Sequence, residues 1–190
     1  KGFIRNNLIN SSLKGTVEIK PNFFLDLIFE PTILNMKKLF PIIQKKYFSN
    51  DAENLELIKK INGFFTFKKM FQGDVIFNNG EILFQNFKTG VNNSLLVDAR
   101  ISKFGKKGKI YFNILKIINH KKKPLKELKV SGFVIPSTSR IVFEKISLDN
   151  EAYTQKEIIS FEKKFKKEVT QKSLSSIFDE TKMNNFFNNF

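Results

Sequence analysis

Alternating apolar and polar residues, interrupted by turn-forming residues, run through most of residues 1–150 and predict a β-rich fold. The plainest case is the stretch from Gly73 to Ile101. Two short apolar runs flank Asn79-Gly80, and Asn-Gly supplies the two positive φ angles that a tight type I′ turn needs. After a second turn at residues 90–93, alternating residues up to Ile101 share one face of an extended segment. This stretch is therefore predicted to be a β-meander.

Similar patterns predict strands on both sides of the meander, and one of these strands, Lys109–Ile118, is apolar on both faces. The predicted strands are Lys14–Lys20, Asn22–Glu30, Phe64–Phe71, Lys109–Ile118, Leu125–Ile135 and Arg140–Leu148. Pro31 is expected to close the second of these strands, because proline interrupts the hydrogen bonding of a sheet. In total the pattern predicts about nine closely spaced strands, which indicates an antiparallel β structure.

Residues 34–62 change to a helical period and form a predicted helical insert. Apolar residues recur at spacings of three and four from Asn35 to Phe48, with lysines between them. Pro41 lies inside this segment and is expected to kink the helix or split it in two. A second helix is predicted from Asn50 to Ile61, ended by Gly63.

Residues 151–190 form a predicted C-terminal helical tail, so the chain divides into a β-rich domain segment at 1–150 and this tail. Thr154 and Glu157 have the spacing of a capping box, and an apolar stripe follows them. We therefore predict a helix from Gln155 to Gln171. Its basic side either faces solvent while the stripe packs on the core, or lies on an anionic membrane surface. The asparagine-rich C-terminus is expected to fray.

The chain carries a formal net charge of +15, but this charge does not by itself indicate a nucleic-acid partner. Only Arg5, Arg100 and Arg140 among the 33 basic residues are arginine, the side chain that best recognises phosphates and bases. The abundance of Lys, Asn, Ile and Phe is also typical of an AT-rich genome. Because the sequence begins with Lys1, we expect it to be part of a longer protein.

Catalytic chemistry is sparse in this sequence, and we predict that the chain is not an enzyme. It has no cysteine and a single histidine, His120, which lies among lysines and is interpreted as an exposed loop residue. We therefore predict no metal site and no cofactor. Neither a nucleophile elbow nor a Ser/His/Asp set can be assigned, so no catalytic residue is predicted.

The order of these elements resembles the C-terminal region of the AsmA-like proteins of Gram-negative bacteria. The resemblance covers most of Gly15 to Leu148. It is carried by the paired strands from Gly15 to Phe29, the helical insert, and three motifs, which are Gly73-Asp-Val-Ile-Phe-Asn-Asn-Gly-Glu-Ile82, Asp98-Ala-Arg-Ile101 and Gly132-Phe-Val-Ile-Pro136. These motifs describe strands and turns, and the family offers no active-site motif to carry over.

The resemblance implies a curved, repetitive antiparallel β-groove in a periplasmic protein of envelope biogenesis. Such a protein is anchored to the inner membrane by a segment outside this chain and moves phospholipid between the two membranes. The resemblance therefore implies phospholipid or another lipid as ligand, and envelope proteins as further partners.

Alternating apolar residues supply candidates for the lining of such a groove, through which acyl chains would be bound or conducted. They are Phe23, Leu25, Leu27, Phe29, Ile82, Phe84, Leu95, Val97, Phe112, Ile114, Val130 and Val134. The same residues are equally suited to the dry core of a closed β-sandwich, and the sequence leaves both open.

Two rival functions also stay open at this point. One is a β-rich scaffold that pairs with a neighbouring segment or chain through its sheet edges. The other is a basic surface in which lysines bind nucleic acid or anionic headgroups without sequence recognition.

Overall fold

The structure is a computed structural model that describes residues 1–19, 23–49, 59–69, 72–89, 95–118, 125–171 and 173–189. One open, curled sheet of 11 strands follows the order of the chain from β1 to β11. Its strands are β1 Gly2–Arg5, β2 Ile9–Glu18, β3 Phe24–Leu34, β4 Asn62–Phe67, β5 Gln72–Asn78, β6 Glu81–Thr89, β7 Leu95–Lys103, β8 Lys109–Ile118, β9 Lys126–Ile135, β10 Arg140–Leu148 and β11 Glu151–Ala152. The predicted curved β architecture is thus confirmed, and the strands form a single open sheet and not the two packed layers of a sandwich.

The predicted meander is present, with β5, β6 and β7 pairing antiparallel and one β-bulge in each pair. Asn79 and Gly80 have φ angles of 48° and 84°, as a type I′ turn requires. The turn predicted at residues 90–93 lies outside the described residues. Two short edge strands, β1 and β11, were missed, because four and two residues are too few to show a period.

One pair of strands departs from the predicted antiparallel pattern. Strands β3 and β4 are parallel, with Leu25 beside Gly63 and Phe29 beside Phe67. The helical insert explains this, because a chain that crosses over through a helix enters the next strand from the same end of the sheet. Gly63 therefore lies in β4, not at a helix end. A Cβ atom there would come within 2.0 Å of the Leu25 carbonyl oxygen, so only glycine fits.

The helix of the insert, α1, spans Met36–Tyr47 without a break. The expected split at Pro41 is wrong. Pro41 and Lys37 both lie on the exposed side of the helix, so the Lys37 carbonyl that loses its partner can be hydrated. Of the second predicted helix, Lys59 and Lys60 are helical, and residues 50–58 lie outside the described residues. Pro31 likewise does not end its strand, since β3 continues to Leu34.

The C-terminal tail contains α2 Gln155–Phe165, a π-helical continuation at Lys166–Thr170, a 3₁₀ turn at Leu174–Phe178 and α3 Glu180–Asn188. The capping box of α2 is confirmed, with the Glu157 carboxylate accepting the Thr154 N–H at 2.7 Å. The expected fraying is wrong, because α3 buries Phe186 and Phe187 completely.

The tail packs on β8 and β10 in one continuous core. The Phe143 ring of β10 meets the rings of Phe161 and Phe165 edge to face at 4.9 and 5.1 Å. Met183 and Phe186 of α3 belong to the same buried cluster. The division of the chain into a segment at 1–150 and a tail stays a prediction.

Candidate functional site

Strand register shows that the predicted lining residues within the strands share one face of the sheet, which we call the apolar face. Residues paired across neighbouring strands point to the same side. The pairs join Leu27 to Phe65, Val75 to Phe84, Val97 to Ile114 and Val130 to Ile146, which carries the face from β3 to β10. Phe23 directly precedes β3, where its side chain is 39 % exposed.

The chain's own helices cover most of the apolar face. Leu95, Phe112, Val130 and Val134 are buried in the cluster that includes α2 and α3, and Val97 and Ile114 pack against it. Ile82 is buried and Phe84 partly buried in a second cluster with Phe48, which lies just past the end of α1. In the structure these predicted lining residues are therefore part of the protein core.

The remaining predicted residues lie on β3 or just before it, at the margin of the second cluster. Phe29 is buried against the rings of Phe65 and Phe67, at 5.5 and 5.2 Å, whereas Leu25 and Leu27 are only half-buried. Val17 of β2 pairs with Leu25 and is 54 % exposed, and Ile19 just beyond β2 is 71 % exposed. Contiguous apolar side chains that face solvent commonly mark a binding surface.

We call this set the β2–β3 patch, comprising Val17, Ile19, Phe23, Leu25 and Leu27. The sequence pointed to its β3 members but not to Val17 or Ile19 as part of the lining. The alternation of β2 was visible in the sequence, and its register with β3 was not. Along the strand direction, Phe23 to Leu27 of the patch spans about 13 Å at about 3.3 Å per residue. One leaflet of a bilayer is about 15 Å of hydrocarbon, so the length suits a single acyl chain.

The opposite face of the sheet carries a polar depression that sequence reasoning missed. Asp98, Asn113, Ser131 and Lys145 stand side by side on four strands. They border two adjoining hollows of about 850 and 640 Å³. The Asp98 carboxylate already accepts the Asn86 N–H at 2.7 Å, and so fixes the bulge in β6. Alternating polar residues in β7 and β8 were the available signal.

Hydrogen bonds lower the pKa values of three carboxylates in this structure. A hydrogen bond from Lys37 at 2.6 Å lowers the pKa of Asp179 and ties α1 to the start of α3. The hydrogen bonds of the capping box lower the pKa of Glu157. Similarly, a hydrogen bond with Lys69 lowers the pKa of Glu30.

Two further shifts come from burial. Lys116 lies on the apolar face between Leu95 and Leu128, is 2 % exposed, and donates to the Asn184 side-chain oxygen of α3 at 3.2 Å. Burial lowers the pKa of Lys116, and burial also raises the pKa of Tyr153.

Metal-ligating side chains do not gather anywhere in the described part of the chain, where no group of three or more His, Cys, Asp or Glu residues forms. His120 lies outside the described residues. None of the helices that the structure describes has both the length and the hydrophobicity needed to cross a membrane.

The chain was compared with protein-family models, curated proteins and solved structures, and none of them matches it.

Proposed function

We propose that this chain is a non-enzymatic segment of a periplasmic cell-envelope protein, anchored to the inner membrane through a segment outside the chain, and that it binds phospholipid acyl chains during transfer between the two membranes. The observation that carries the proposal is the β2–β3 patch, where the apolar face emerges from beneath the helices and meets solvent. Location and transfer rest on the resemblance to AsmA-like proteins.

Sheet geometry supports a ligand that is long, thin and apolar. The patch follows the strand direction, and its length of about 13 Å is close to the roughly 15 Å of hydrocarbon in one leaflet. Its members contribute only carbon atoms, so they supply affinity without any directional recognition. Helices α1, α2 and α3 then close the rest of the apolar face, so the proposed track has one open and one filled end.

The test is binding of a fluorescent phosphatidylethanolamine to the purified 190-residue chain, together with mass spectrometry of extracted lipid. Replacing Val17 and Phe23 by serine removes two apolar side chains from the patch. Their partial burial by an acyl chain is worth about 1.5–3 kcal/mol in total, so affinity should fall at least about tenfold.

Phe3→Ser with Phe64→Ser is the matched control. Both side chains are exposed, at 69 % and 47 %, but they lie on the opposite face of the sheet. This pair should leave lipid affinity within about twofold of the original protein. Equal losses in both variants, or no bound phospholipid in the extract, would contradict the proposal.

One observation favours the rival function, a scaffold that pairs by strand addition. The sheet is open, and β1 is an edge strand with no cover on its outer side among the described residues. A strand of another segment or chain can pair there through backbone hydrogen bonds. This function predicts a defined oligomer in sedimentation, with no lipid in the extract, and Ile4→Pro would dissociate it.

A further inference from the structure

The directions of the strands place several cationic residues at one end of the sheet, which we call the basic end. Strands β7 and β9 finish there, and β8 and β10 start there. Helix α1 also finishes there, since the Tyr47 carbonyl accepts the Gly105 N–H at 2.8 Å. The cations of the basic end are Lys45, Lys46, Lys103, Lys106, Lys107, Lys109 and Arg140.

Hydrogen bonds between α1, the β7–β8 turn and the β9–β10 turn fix this arrangement. Gln44 at the end of α1 donates to the Pro136 carbonyl and, at 3.1 Å, to the Ser139 hydroxyl of the β9–β10 turn. Ser137 of that turn donates to the Lys106 carbonyl at 2.7 Å. Phe48 packs under the β7–β8 turn, where it comes close to Gly108. The two turns are therefore held against the end of α1.

Carboxylates of the described residues form no ion pair with the cations of the basic end. Lys109 lies instead over the Phe133 ring at 4.0 Å. Elsewhere the pattern is different, since Lys37, Lys69 and Lys129 are each paired with a carboxylate at 2.6 to 2.9 Å. Glu81, near the basic end, faces Arg100 at 3.6 Å.

Exposed apolar side chains share this end of the sheet with the cations. Strand β2 finishes and β3 begins there, which places Val17, Ile19 and Phe23 at the same end. Ile42 of α1 is also exposed, at 49 %. Cations beside exposed apolar side chains suit the surface of an anionic bilayer, where lysines meet headgroups and apolar groups enter the acyl boundary. A nucleic acid would use the cations but leave the aliphatic side chains in water.

We propose that the basic end docks this protein on an anionic phospholipid bilayer. The end is built from α1, the β7–β8 turn and the β9–β10 turn, and docking there would place the mouth of the β2–β3 patch at the membrane. Docking needs no acyl chain in the patch, so this inference and the proposed function can fail separately.

Vesicle co-sedimentation of the full chain tests the inference. Vesicles of phosphatidylcholine with about 30 % phosphatidylglycerol should bind the protein, vesicles of phosphatidylcholine alone should bind it weakly, and added salt should release it. In the test variant, Lys45, Lys106 and Lys107 are all replaced by glutamate. Because each position is exposed, folding should be unchanged, and the partition coefficient should fall at least about tenfold.

The matched control replaces Lys156, Lys163 and Lys167 of the tail by glutamate, which gives the same net charge on the other basic surface of the chain. This control should retain vesicle binding within about twofold, whereas general charge attraction would weaken both variants equally. Equal losses, or a larger loss in the control, would overturn the proposal, and the latter result would place the docking surface on α2.

A third variant, Ile19→Ser, separates a bilayer from a nucleic acid. It should reduce vesicle binding at least about threefold and leave the weak binding of a short single-stranded DNA unchanged. If Ile19→Ser has no effect on vesicles while Lys45, Lys106 and Lys107 control DNA binding, the basic end is a nucleic-acid surface and the proposal is wrong. Lipid extraction from the two lysine variants, whose replaced residues lie outside the β2–β3 patch, reports on the patch independently.

Discussion

Lys116 shows what one residue does to the stability of this fold. Its ammonium group lies among apolar side chains beneath α3, with Asn184 as a hydrogen-bond partner. Burying a charge costs free energy, which hydrogen bonding offsets only in part. A cation at this register position was visible in the sequence, but nothing in the alternation showed that α3 would cover it. The residue links the sheet to the tail at a cost in stability.

The pH dependence of stability should reveal that cost. Because the pKa of Lys116 is lowered on folding, the unfolded chain binds more protons at pH values between the lowered pKa and about 10.4. The cost is therefore present at neutral pH and diminishes as pH rises towards that value. Lys116→Met with Asn184→Leu should raise the free energy of unfolding at pH 7 by about 1–3 kcal/mol, and the gain should shrink by pH 10.

Urea denaturation at several pH values measures this difference. Lys88→Met is the control, because it removes an exposed lysine and should change the free energy of unfolding by less than about 0.5 kcal/mol. A gain that is constant between pH 7 and pH 10 would mean that Lys116 titrates alike in the folded and unfolded protein.

Elements with a clear pattern in the local sequence were predictable. Features that depend on contacts between elements were not. Strand β8 runs from Lys109 to Ile118 as predicted, because a ten-residue run rich in isoleucine and aromatic residues favours a strand even though both of its faces are apolar. The parallel pairing of β3 with β4 follows from the direction in which α1 returns, which no local pattern contains. Helix α3 combines asparagines with phenylalanines, and only its contacts show which side is buried.

The stability of α3 should depend on its phenylalanines, whose burial the local sequence did not show. Phe187 is fully buried, and Phe186 meets Phe165 edge to face at 5.0 Å. Phe187→Ala removes a core ring, so it should lower the free energy of unfolding by about 3–5 kcal/mol. If the C-terminus frayed, this substitution would leave the free energy of unfolding almost unchanged. Thermal or urea denaturation measures the change, with the exposed Phe3→Ala as the matched control.

At the scale of the whole molecule, cover over the sheet is uneven. In β9 every second residue from Leu128 to Val134 is buried beneath the tail, whereas in β2 only Ser11 is buried. The sequence predicted an apolar face but could not show where it is covered, because cover depends on where the helices return. The predicted lining residues accordingly divide into core residues beneath the helices and the solvent-facing members of the β2–β3 patch.

Amide hydrogen exchange should follow this uneven cover. Backbone amides open through local unfolding where few apolar contacts hold a strand, and through larger unfolding where many do. We therefore expect amides of β2 to exchange at least about a hundredfold faster than those of β9. Phospholipid bound at the β2–β3 patch should slow exchange in β2 and β3 and leave β9 unchanged. Equal protection throughout the lipid-free sheet would show that it opens as one unit, and lipid that left β2 and β3 unchanged would place its binding site elsewhere.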